Sequence, residues 1–188
     1  GINHIIQEEI ENIDLWNKRK YVVRSYVLLW NKGAWFHKKA LSFVHGKDYV
    51  PSTSHEIQVS HNGYASPSGS VKVHSLEKIG ELGGSGKRAD MYPYIQKLLY
   101  KVSKEICKKF PKMIESTTEK RYLILGIDYL VVKKGNNNYD LKIVEVNRYP
   151  NISHTSETNR CVNQRMIRDM TVLLYGINHP LGHDFIKL

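Results

Sequence analysis

Three side chains with hard oxygen donors, Asp128, Glu145 and Asn147, lie close together in the sequence. They fall in or directly after two apolar, β-branched stretches, 126–132 and 141–146, which are joined by a turn-like run of glycine and asparagines. This pattern predicts a β-hairpin. Strand side chains alternate, so Glu145 and Asn147 point to the same face. Where Asp128 faces the same way, the donors converge and suit Mg²⁺, which uses carboxylates together with water and substrate phosphates.

The same hairpin has a plainer interpretation, in which a buried strand pair places its polar residues at the solvent. Acidic side chains are mostly exposed in folded proteins, which favours that interpretation. Glu145, however, interrupts the apolar run 143–146 near the end of a predicted strand. A carboxylate at such a place is either a charge on a sheet edge or a ligand.

The order of these residues resembles the closing segment of the tubulin–tyrosine ligase-like family, a branch of the ATP-grasp enzymes. The segment begins with Gly126-x-Asp128 and an aromatic residue, and after a turn it ends in Ile-Val-Glu-Val-Asn-x-x-Pro at Pro150. In that family the Asp, the Glu and the Asn hold Mg²⁺ against the phosphates of ATP. The resemblance therefore implies that Asp128, Glu145 and Asn147 are the metal ligands here.

A strongly β-prone stretch near the N-terminus, 18–30, predicts a strand that turns at 31–33 and returns over 34–44. Lys20 and Arg24 are four residues apart, so they share one face of that strand. An ammonium and a planar guanidinium on one face can bracket a phosphate. A solvated face of a sheet is the alternative.

The resemblance extends to this strand, because Lys20, Tyr21 and Arg24 match the family's basic, aromatic and arginine positions. It implies phosphate binding by Lys20 and stabilisation of the transferring phosphoryl group by Arg24. Val22 stands where the family has an aspartate for the nucleotide ribose, and Phe43 lies near the place of the arginine that grips the acceptor chain. Nucleotide affinity and acceptor identity therefore do not carry over from the family.

Two further segments resemble the family's nucleotide contacts. The first, 3–10, is predicted as a short strand and resembles the hinge that holds adenine through main-chain hydrogen bonds; a plain edge strand is the alternative. The second, 55–64, is another predicted strand in the place of a nucleotide-contacting stretch. The matching residues are Gln7, Glu8, Glu9 and Ile10 in the hinge, and Ser60 and His61 in the later strand.

The composition favours a polyanionic partner. Lysine and arginine number 28 against 18 aspartate and glutamate residues, a formal net charge of +10 at pH 7. Such a surplus suits nucleotide, acidic lipid, nucleic acid or an acidic protein tail, and a lysine-rich soluble surface is the alternative. No apolar run is long enough to span a bilayer, the polar N-terminus is no signal peptide, and the two cysteines form no metal-type pair. We therefore expect a cytoplasmic protein.

The remaining sequence predicts one loop and two helices. The segment 65–90 is rich in serine, glycine and proline and is predicted as a flexible surface loop, since its Gly-Gly-Ser-Gly-Lys run lacks the spacing of a phosphate loop. Apolar residues at helical spacing predict a helix over 92–114, ended or kinked at Pro111, and another over 157–175. Residues 178–188 are predicted as a surface tail.

Together these elements predict one α+β domain over residues 1–188, an antiparallel sheet with helices packed on one face. The resemblance implies that this domain is the C-terminal lobe of an ATP-grasp ligase. In that fold a second lobe, N-terminal to the hinge, covers the phosphates with a glycine-rich loop. We expect that lobe to be absent from this sequence, which begins at the hinge-like segment.

The resemblance implies the activity of an ATP-dependent carboxylate–amine ligase, with ATP and Mg²⁺ as cofactors. ATP would activate a carboxylate of an acceptor protein as an acyl phosphate, and a free amino acid (tyrosine, glutamate or glycine) would then displace the phosphate. In that family the acceptor is typically the acidic tail of tubulin, which suits a basic chain and implies association with microtubules. No membrane partner is expected.

Two other functions stay open from the sequence. A catalytically reduced relative or fragment would bind an acidic protein tail without turnover, and the loss of the ribose aspartate at Val22 favours it. A basic nucleic-acid-binding module would need a recognised motif or an aromatic platform, whereas the aromatic residues lie in predicted core strands. Nucleic acid is therefore the partner that we expect least.

Overall fold

An eight-stranded antiparallel sheet forms the centre of the protein in this computed structural model. The structure describes residues 8–51, 57, 71–81, 91–135, 138–152 and 157–188. The strands are β1 (Leu15–Trp16), β2 (Arg19–Trp30), β3 (Gly33–His37), β4 (Leu41–Val44), β5 (Lys72–Ser75), β6 (Leu123–Lys133), β7 (Tyr139–Asn147) and β8 (Phe185–Lys187). The helices are α1 (Leu76–Glu81), α2 (Met91–Lys109), α3 (Pro111–Glu115) and α4 (Glu157–Tyr175). None of these described helices is both long and apolar enough to cross a bilayer.

Strand β2 lies in the middle of the sheet and contacts four other strands. On one side its first half pairs with β4 and its second half with β3, and on the other side it pairs with β1 and β6. The sheet continues to β5 beyond β4, to β8 beyond β3 and to β7 beyond β6. This register determines which side chains lie next to each other, because directly opposed residues share a face.

The alternation of β2 builds two hydrophobic cores, one on each face of the sheet. Odd-numbered residues of β2 pack against α2, whose Ile95 and Leu99 are almost fully buried. Even-numbered residues such as Val22 and Tyr26 pack against Met166 of α4. The antiparallel α+β prediction is confirmed, but helices cover both faces, so the expectation of helices on one face is wrong. The reason is that α4 has an apolar stripe of its own and buries it on the face that α2 leaves uncovered.

Helix α2 forms because apolar residues recur along one side of it. These residues are Met91, Ile95, Leu99 and Ile106. The helix ends at Lys109, and Pro111 begins the separate helix α3, since a proline ring fits the first turn of a helix but not its interior. The predicted end or kink at Pro111 is therefore confirmed, and residues 111–115 form a separate helix.

Several element boundaries differ from the sequence-based expectation. Residues 34–44 form two strands, β3 and β4, because the chain leaves the sheet at 38–40 and each half pairs with a different part of β2. The predicted loop over 65–90 contains β5 and α1, the predicted tail over 178–188 contains β8, and residues 8–10 are not a strand. These elements are too short to show a hydrophobic period, so tertiary pairing decides them.

The predicted hairpin is present as β6 and β7, with a β-bulge near its end. Asp128 pairs with Glu145, whereas the next residue, Tyr129, pairs with Ile143, so Val144 is the extra residue. The bulge resets the alternation of β7. As a result Glu145 shares a face with Asp128, while Ile143 shares the opposite face with Tyr129.

Gly126 lets the chain fold back closely after β7. A Cβ atom at this position would lie 2.6 Å from Cβ of Pro150 and 3.6 Å from Cδ of Arg24. The first distance is too short for a real contact, so a side chain here would displace Pro150. The glycine therefore allows the segment that follows Asn147 to lie against β6 next to Arg24.

Candidate functional site

The sheet register places three charged side chains in one row. Arg24 of β2 lies opposite Asp128 of β6, and Asp128 lies opposite Glu145 of β7. Asn147 lies opposite Gly126, on the same face as Glu145. Directly opposed residues in antiparallel strands project to the same face. The three predicted metal ligands therefore share one face with Arg24, and their role as ligands stays a prediction.

Arg24 and Asp128 form a buried, bidentate ion pair. Nε of Arg24 donates to one carboxylate oxygen of Asp128 and Nη2 donates to the other, each at 2.7 Å. The guanidinium carbon also lies 5.1 Å from the centre of the Phe43 ring, a cation–π contact. Two desolvated charges are tolerated when their geometry is this good, and removal of one partner leaves the other buried and unpaired. The pair thus fixes both groups on the sheet.

Glu145 and Asn147 lie where a ligand can reach them. Strand β7 pairs with β6 on one side, and no other strand of the described part of the chain pairs with its second side. Glu145 is exposed and Asn147 is half-buried, whereas Asp128 beside them is 5 % exposed. The row therefore runs from a buried ion pair to an accessible carboxylate at the sheet edge.

An open cleft of about 670 Å³ lies between the N-terminal segment and β7. Residues 8–11 line one side of it, and Lys142 and Ile143 of β7 line the other. Lys142 lies opposite Leu130, on the face that also carries Glu145. A cleft of this volume is in the range of small-molecule sites, so it has room for a nucleotide.

The N-terminal segment that lines the cleft is held against β6 by its backbone. The N–H group of Asp14 donates to the carbonyl of Val131 at 2.7 Å, and the N–H group of Lys133 donates to the carbonyl of Asn12 at 2.8 Å. The side chain of Ile10 packs on the core cluster of the α4 face. The segment therefore forms a wall of the cleft on the side of the sheet that carries the row.

Lys20 lies on the same face as Arg24, near the start of β2. Burial lowers the pKa of its ammonium group below the ordinary value of 10.5, and the charge of Glu9 partly opposes that shift. Lys20 is therefore within electrostatic reach of the hinge-like segment. A partly desolvated ammonium interacts more strongly with an added phosphate than a fully exposed one does.

Val22, for which the resemblance suggested the place of a ribose-binding aspartate, is part of the core. Its side chain is 7 % exposed, and it lies opposite Phe43 of β4. A carboxylate at this place would need a compensating partner, because burial of an unpaired charge is very unfavourable. Val22 therefore supplies no charged acceptor for a ribose.

The donor set fits Mg²⁺ and a nucleotide phosphate. Asp128 and Glu145 offer carboxylate oxygens, Asn147 offers an amide oxygen, and Lys20 and Arg24 bring positive charge to the same face. Each carboxylate oxygen of Asp128 accepts one hydrogen bond from Arg24 and has a second lone pair. Mg²⁺ is usually bound through one or two carboxylates together with substrate phosphates, which is the chemistry present here.

A buried hydrogen-bond chain that the sequence analysis missed supports the loop after β7. Tyr26 Oη donates to Oδ1 of Asn163 at 2.8 Å, and Nδ2 of Asn163 donates to the carbonyl of Ile152 at 3.1 Å. Burial raises the pKa of Tyr26, so its hydroxyl keeps the proton that it donates. The signal in the sequence was faint: an asparagine directly after the core residue Val162. These two hydrogen bonds hold Ile152, which follows β7, against β2 and α4.

A second cluster of titratable groups lies away from this row, at the end of β3. His37, Asp169 and Asp184 bring potential ligand atoms within 4.8 Å of one another. Arg165 contacts Asp184 at 2.8 Å, and Arg168 pairs with Asp169. Burial lowers the pKa of His37, although its hydrogen bond to Asp169 acts in the opposite direction. Because two arginines balance two carboxylates, we interpret the cluster as a structural network that joins α4 to β3 and to the segment before β8.

Three of the predicted nucleotide contacts, Gln7, Ser60 and His61, lie outside the residues that the structure describes. Their roles stay predictions. The other hinge residues, Glu8, Glu9 and Ile10, line the cleft described above. The structure thus places part of the hinge at the cleft. Ile57 is the one described residue of the predicted strand 55–64; it is helical, which the strand prediction did not expect, and its carbonyl lies 2.8 Å from Nδ1 of His45.

Comparison with known proteins supports the fold rather than a particular activity. No protein-family model matches the sequence, and no curated protein matches it. Among solved structures, the chain is similar to the C-terminal domain of K. lactis Pby1, described as an ATP-grasp enzyme interacting with the mRNA decapping enzyme Dcp2. The TM-score is 0.61 at 14% sequence identity, and the match covers 94% of this chain and 50% of that chain.

The chain therefore spans about half the length of the Pby1 domain. The likeness confirms the predicted antiparallel α+β architecture, which the chain shares with that domain. At 14% identity the likeness extends to the architecture and not to the roles of single residues.

Proposed function

We propose that the chain is the metal- and nucleotide-binding part of an ATP-dependent carboxylate–amine ligase. The observation that carries the proposal is the row of Arg24, Asp128 and Glu145 on one face of an ATP-grasp-like sheet. Lys142, which lines the cleft, lies on the same face of β7 as Glu145. Phosphoryl transfer needs positioned positive charge and oxygen ligands rather than a protein nucleophile. The row offers both within three neighbouring strands.

Arg24 and Lys20 act on the phosphates in this proposal. Asp128 holds the guanidinium of Arg24 through two hydrogen bonds, so the planar group is oriented before a substrate arrives. Lys20 contributes a partly desolvated point charge four residues earlier on the same face. The two cations therefore bracket the phosphates with different geometries.

The base and the ribose lie at the cleft. Residues 8–10 hold the adenine through main-chain groups, and Lys142 stands on the opposite wall. Val22 gives the ribose no charged acceptor, so most of the affinity comes from the phosphates. We therefore expect weak discrimination between ribose and deoxyribose nucleotides.

The metal site consists of Asp128, Glu145 and Asn147. Bound Mg²⁺ supplies neutralisation of the phosphate charge during transfer. Arg24 orients Asp128, and the Gly126–Pro150 contact fixes the backbone that follows Asn147. Glu145 is exposed at the edge, so it is the ligand whose replacement changes the site with the least change to the fold.

The proposed reaction has two steps. A carboxylate oxygen of the acceptor attacks the γ-phosphorus of ATP, the bond to ADP breaks, and an acyl phosphate forms. The amine of a free amino acid then attacks the acyl carbon, expels inorganic phosphate, loses a proton and forms an amide bond. Arg24 stabilises the negative charge on the transferred phosphoryl oxygens in the first step and on the leaving phosphate in the second.

The acceptor in this proposal is an acidic protein tail, such as that of tubulin, and the added amino acid is tyrosine, glutamate or glycine. The support is the formal charge of +10, which attracts an acidic chain from a distance. A cytoplasmic location at microtubules would follow from that substrate.

Trapping of the acyl phosphate tests the proposal. The chain is incubated with Mg²⁺-ATP, a glutamate-rich peptide and hydroxylamine, and the hydroxamate formed is measured together with ADP. We expect both products from the wild type and from Lys120→Met, which replaces an exposed lysine in a turn. We expect a loss of both products in Lys20→Met. Absence of hydroxamate from the wild type would contradict the ligase reaction, and unchanged yield in Lys20→Met would contradict the role of Lys20.

A second candidate is a catalytically reduced relative that binds an acidic tail without turnover. The observation that favours it is the core packing of Val22 opposite Phe43, which removes a charged acceptor from the nucleotide site. Peptide binding without ADP or hydroxamate in the same experiment would support this candidate over the ligase.

A further inference from the structure

Four exposed lysines form a stripe along the outer side of α2. They are Lys97, Lys101, Lys104 and Lys108, spaced by four, three and four residues. At 3.6 residues per turn this spacing places all four side chains on one side of the helix. The buried residues of α2, such as Ile95 and Leu99, lie on its opposite side. The stripe is therefore a continuous basic edge of the α2 layer.

Two apolar hollows lie between this stripe and the strands β3 and β8. The first has a volume of about 260 Å³, and Phe36, Tyr100 and Ile186 form its apolar surface, with Lys38 and Lys97 at the rim. The second has a volume of about 420 Å³. Its apolar surface includes Ala34, Pro111 and Ile114, and Lys32, Lys104 and Lys108 lie at its rim. We call the two hollows and the stripe the α2 groove.

The charge of the α2 groove is strongly positive. Among the described residues that line the two hollows, the acidic one is Glu115, against several lysines. Glu105, which lies within the stripe, has its carboxyl pKa lowered by a hydrogen bond from Lys108 and by the charges of Lys101 and Lys104. A carboxylate added to this groove would therefore meet the same favourable potential.

The spacing of the hollows sets the length of an occupant. Lys97 and Lys104 mark one hollow each and are seven residues apart on a helix, which corresponds to about 10 Å. A peptide in the polyproline II conformation rises about 3.1 Å per residue with three residues per turn, so side chains three residues apart lie on one side about 9 Å apart. Acidic side chains keep such a segment extended by mutual repulsion.

We propose that the α2 groove binds an extended acidic peptide segment, with two apolar side chains three residues apart in the two hollows and carboxylates against the lysine stripe. The hollows bind the apolar side chains of the peptide. The lysines orient the peptide and select for negative charge. This interaction is separate from the proposed ligase reaction, because α2 and the row that contains Arg24 lie on opposite faces of the sheet.

The lining of the groove favours a peptide over nucleic acid. Binding of single strands uses aromatic side chains on which bases stack. The described lining of the larger hollow contains no aromatic residue. In the smaller hollow, the Tyr100 ring already packs edge-to-face on Phe36, with 5.9 Å between ring centres. Aliphatic side chains therefore fit the groove better than bases do.

Fluorescence anisotropy with a labelled peptide tests the proposal. The probe is a glutamate-rich peptide with two leucines three residues apart, titrated with the whole chain in the absence of ATP. Matched peptides carry serine at both leucine positions or place the leucines side by side. We expect the first peptide to bind about tenfold or more tightly than either matched peptide, since each loses at least one buried leucine.

Charge reversal within the chain provides the second arm. Lys97→Glu/Lys104→Glu should weaken binding of the leucine peptide by about tenfold or more. The control is Lys78→Glu/Lys120→Glu, which changes the net charge by the same amount at exposed positions outside the groove. We expect the control to bind like the wild type at moderate salt. Circular dichroism confirms that both variants are folded.

Three results would overturn the proposal. Equal weakening in both double variants would mean that binding follows net charge and not the groove. Equal affinity for the leucine and serine peptides would mean that the hollows are not used. Displacement of the peptide by an oligonucleotide of the same charge, at lower concentration than by unlabelled peptide, would assign the lysine stripe to nucleic acid instead.

Discussion

The two faces of strand β2 differ in kind, although one twelve-residue strand builds both. On the face covered by α2, Val23, Val27 and Leu29 are apolar and at most 1 % exposed. On the face covered by α4, Arg24 stands among apolar residues, and its charge is balanced by Asp128 of the neighbouring strand. One face is therefore mainly apolar, with Tyr21 donating a hydrogen bond to the buried carboxylate of Asp14, and the other carries a buried ion pair between strands.

The comparison teaches how a charged site is kept inside a stable sheet. On the α4 face each of two buried polar side chains of β2 meets a partner that is distant in sequence. Arg24 pairs with Asp128, and Tyr26 donates to Asn163. Buried polar groups are tolerated when they are paired in this way. We therefore expect core mutations on the α2 face to change stability without changing nucleotide binding, and mutations on the α4 face to change both.

Arg24→Leu is expected to lower the free energy of unfolding more than any other change discussed below. It leaves Asp128 buried without its partner, which typically costs about 3–5 kcal/mol. Denaturant unfolding followed by circular dichroism measures the loss. The double variant Arg24→Leu/Asp128→Leu should regain much of the stability but not the nucleotide affinity. A double variant as unstable as the single one would argue against the ion pair as the cause.

Leu99→Ala is the matched test on the opposite face. The side chain is fully buried under the sheet, and its truncation should cost about 2–5 kcal/mol. At a temperature where the variant is still folded, its affinity for Mg²⁺-ATP should equal that of the wild type. A large loss of affinity in the folded variant would show that the two faces are not independent.

Gly126→Ala should have a smaller effect on stability and a clear effect on binding. The added Cβ would come within 2.6 Å of Pro150, and such overpacking costs about 1–3 kcal/mol. Movement of Pro150 shifts the backbone after Asn147, so nucleotide affinity should fall as well. The double variant Gly126→Ala/Pro150→Gly removes the clash and should recover stability. If the double variant is as unstable as Gly126→Ala, steric contact with Pro150 does not explain why position 126 requires glycine.

The smallest expected change in stability comes from protonation of the buried histidines. Burial lowers the pKa of His37, His45 and His74 below the ordinary value of 6.5. When the pH falls through 6.5, these histidines are protonated in the unfolded chain before they are protonated in the folded protein. The free energy of unfolding is therefore highest above pH 6.5 and falls as the pH approaches the lower folded-state pKa. The melting temperature should fall by about a few degrees from pH 7.5 to 5.5, and by less in His45→Gln. A rise on acidification would contradict this sign.

The hairpin shows what sequence reasoning predicted well. Apolar alternation and an asparagine-rich turn are local signals, and they predicted β6 and β7 with Glu145 and Asn147 on one face. The pairing of Arg24 with Asp128 spans 104 residues, so no local pattern contains it. The bulge at Val144, which aligns Glu145 with Asp128, likewise depends on the neighbouring strand.

Other parts of the fold were missed for a different reason. Strand β8 has three residues and β5 has four, which is too short for a hydrophobic period, so pairing with β3 and β4 decides them. The apolar stripe of α4 predicted a helix with the right bounds, but a stripe does not say which face of a sheet it covers. The expectation that the helices pack on one face was therefore wrong, because α4 lies on the face opposite α2.

Calorimetric titration of Mg²⁺-ATP into the wild type, Glu145→Gln and Glu119→Gln tests the central claim, that the α4 face binds a metal–nucleotide complex through the hairpin carboxylates. Glu145 and Glu119 are both exposed, so neither change should alter the fold. We expect the wild type and Glu119→Gln to bind Mg²⁺-ATP with the same affinity. The affinity of Glu145→Gln should be about tenfold or more lower, because the metal loses one charged ligand. Equal binding by all three proteins, or no binding by the wild type, would contradict the claim.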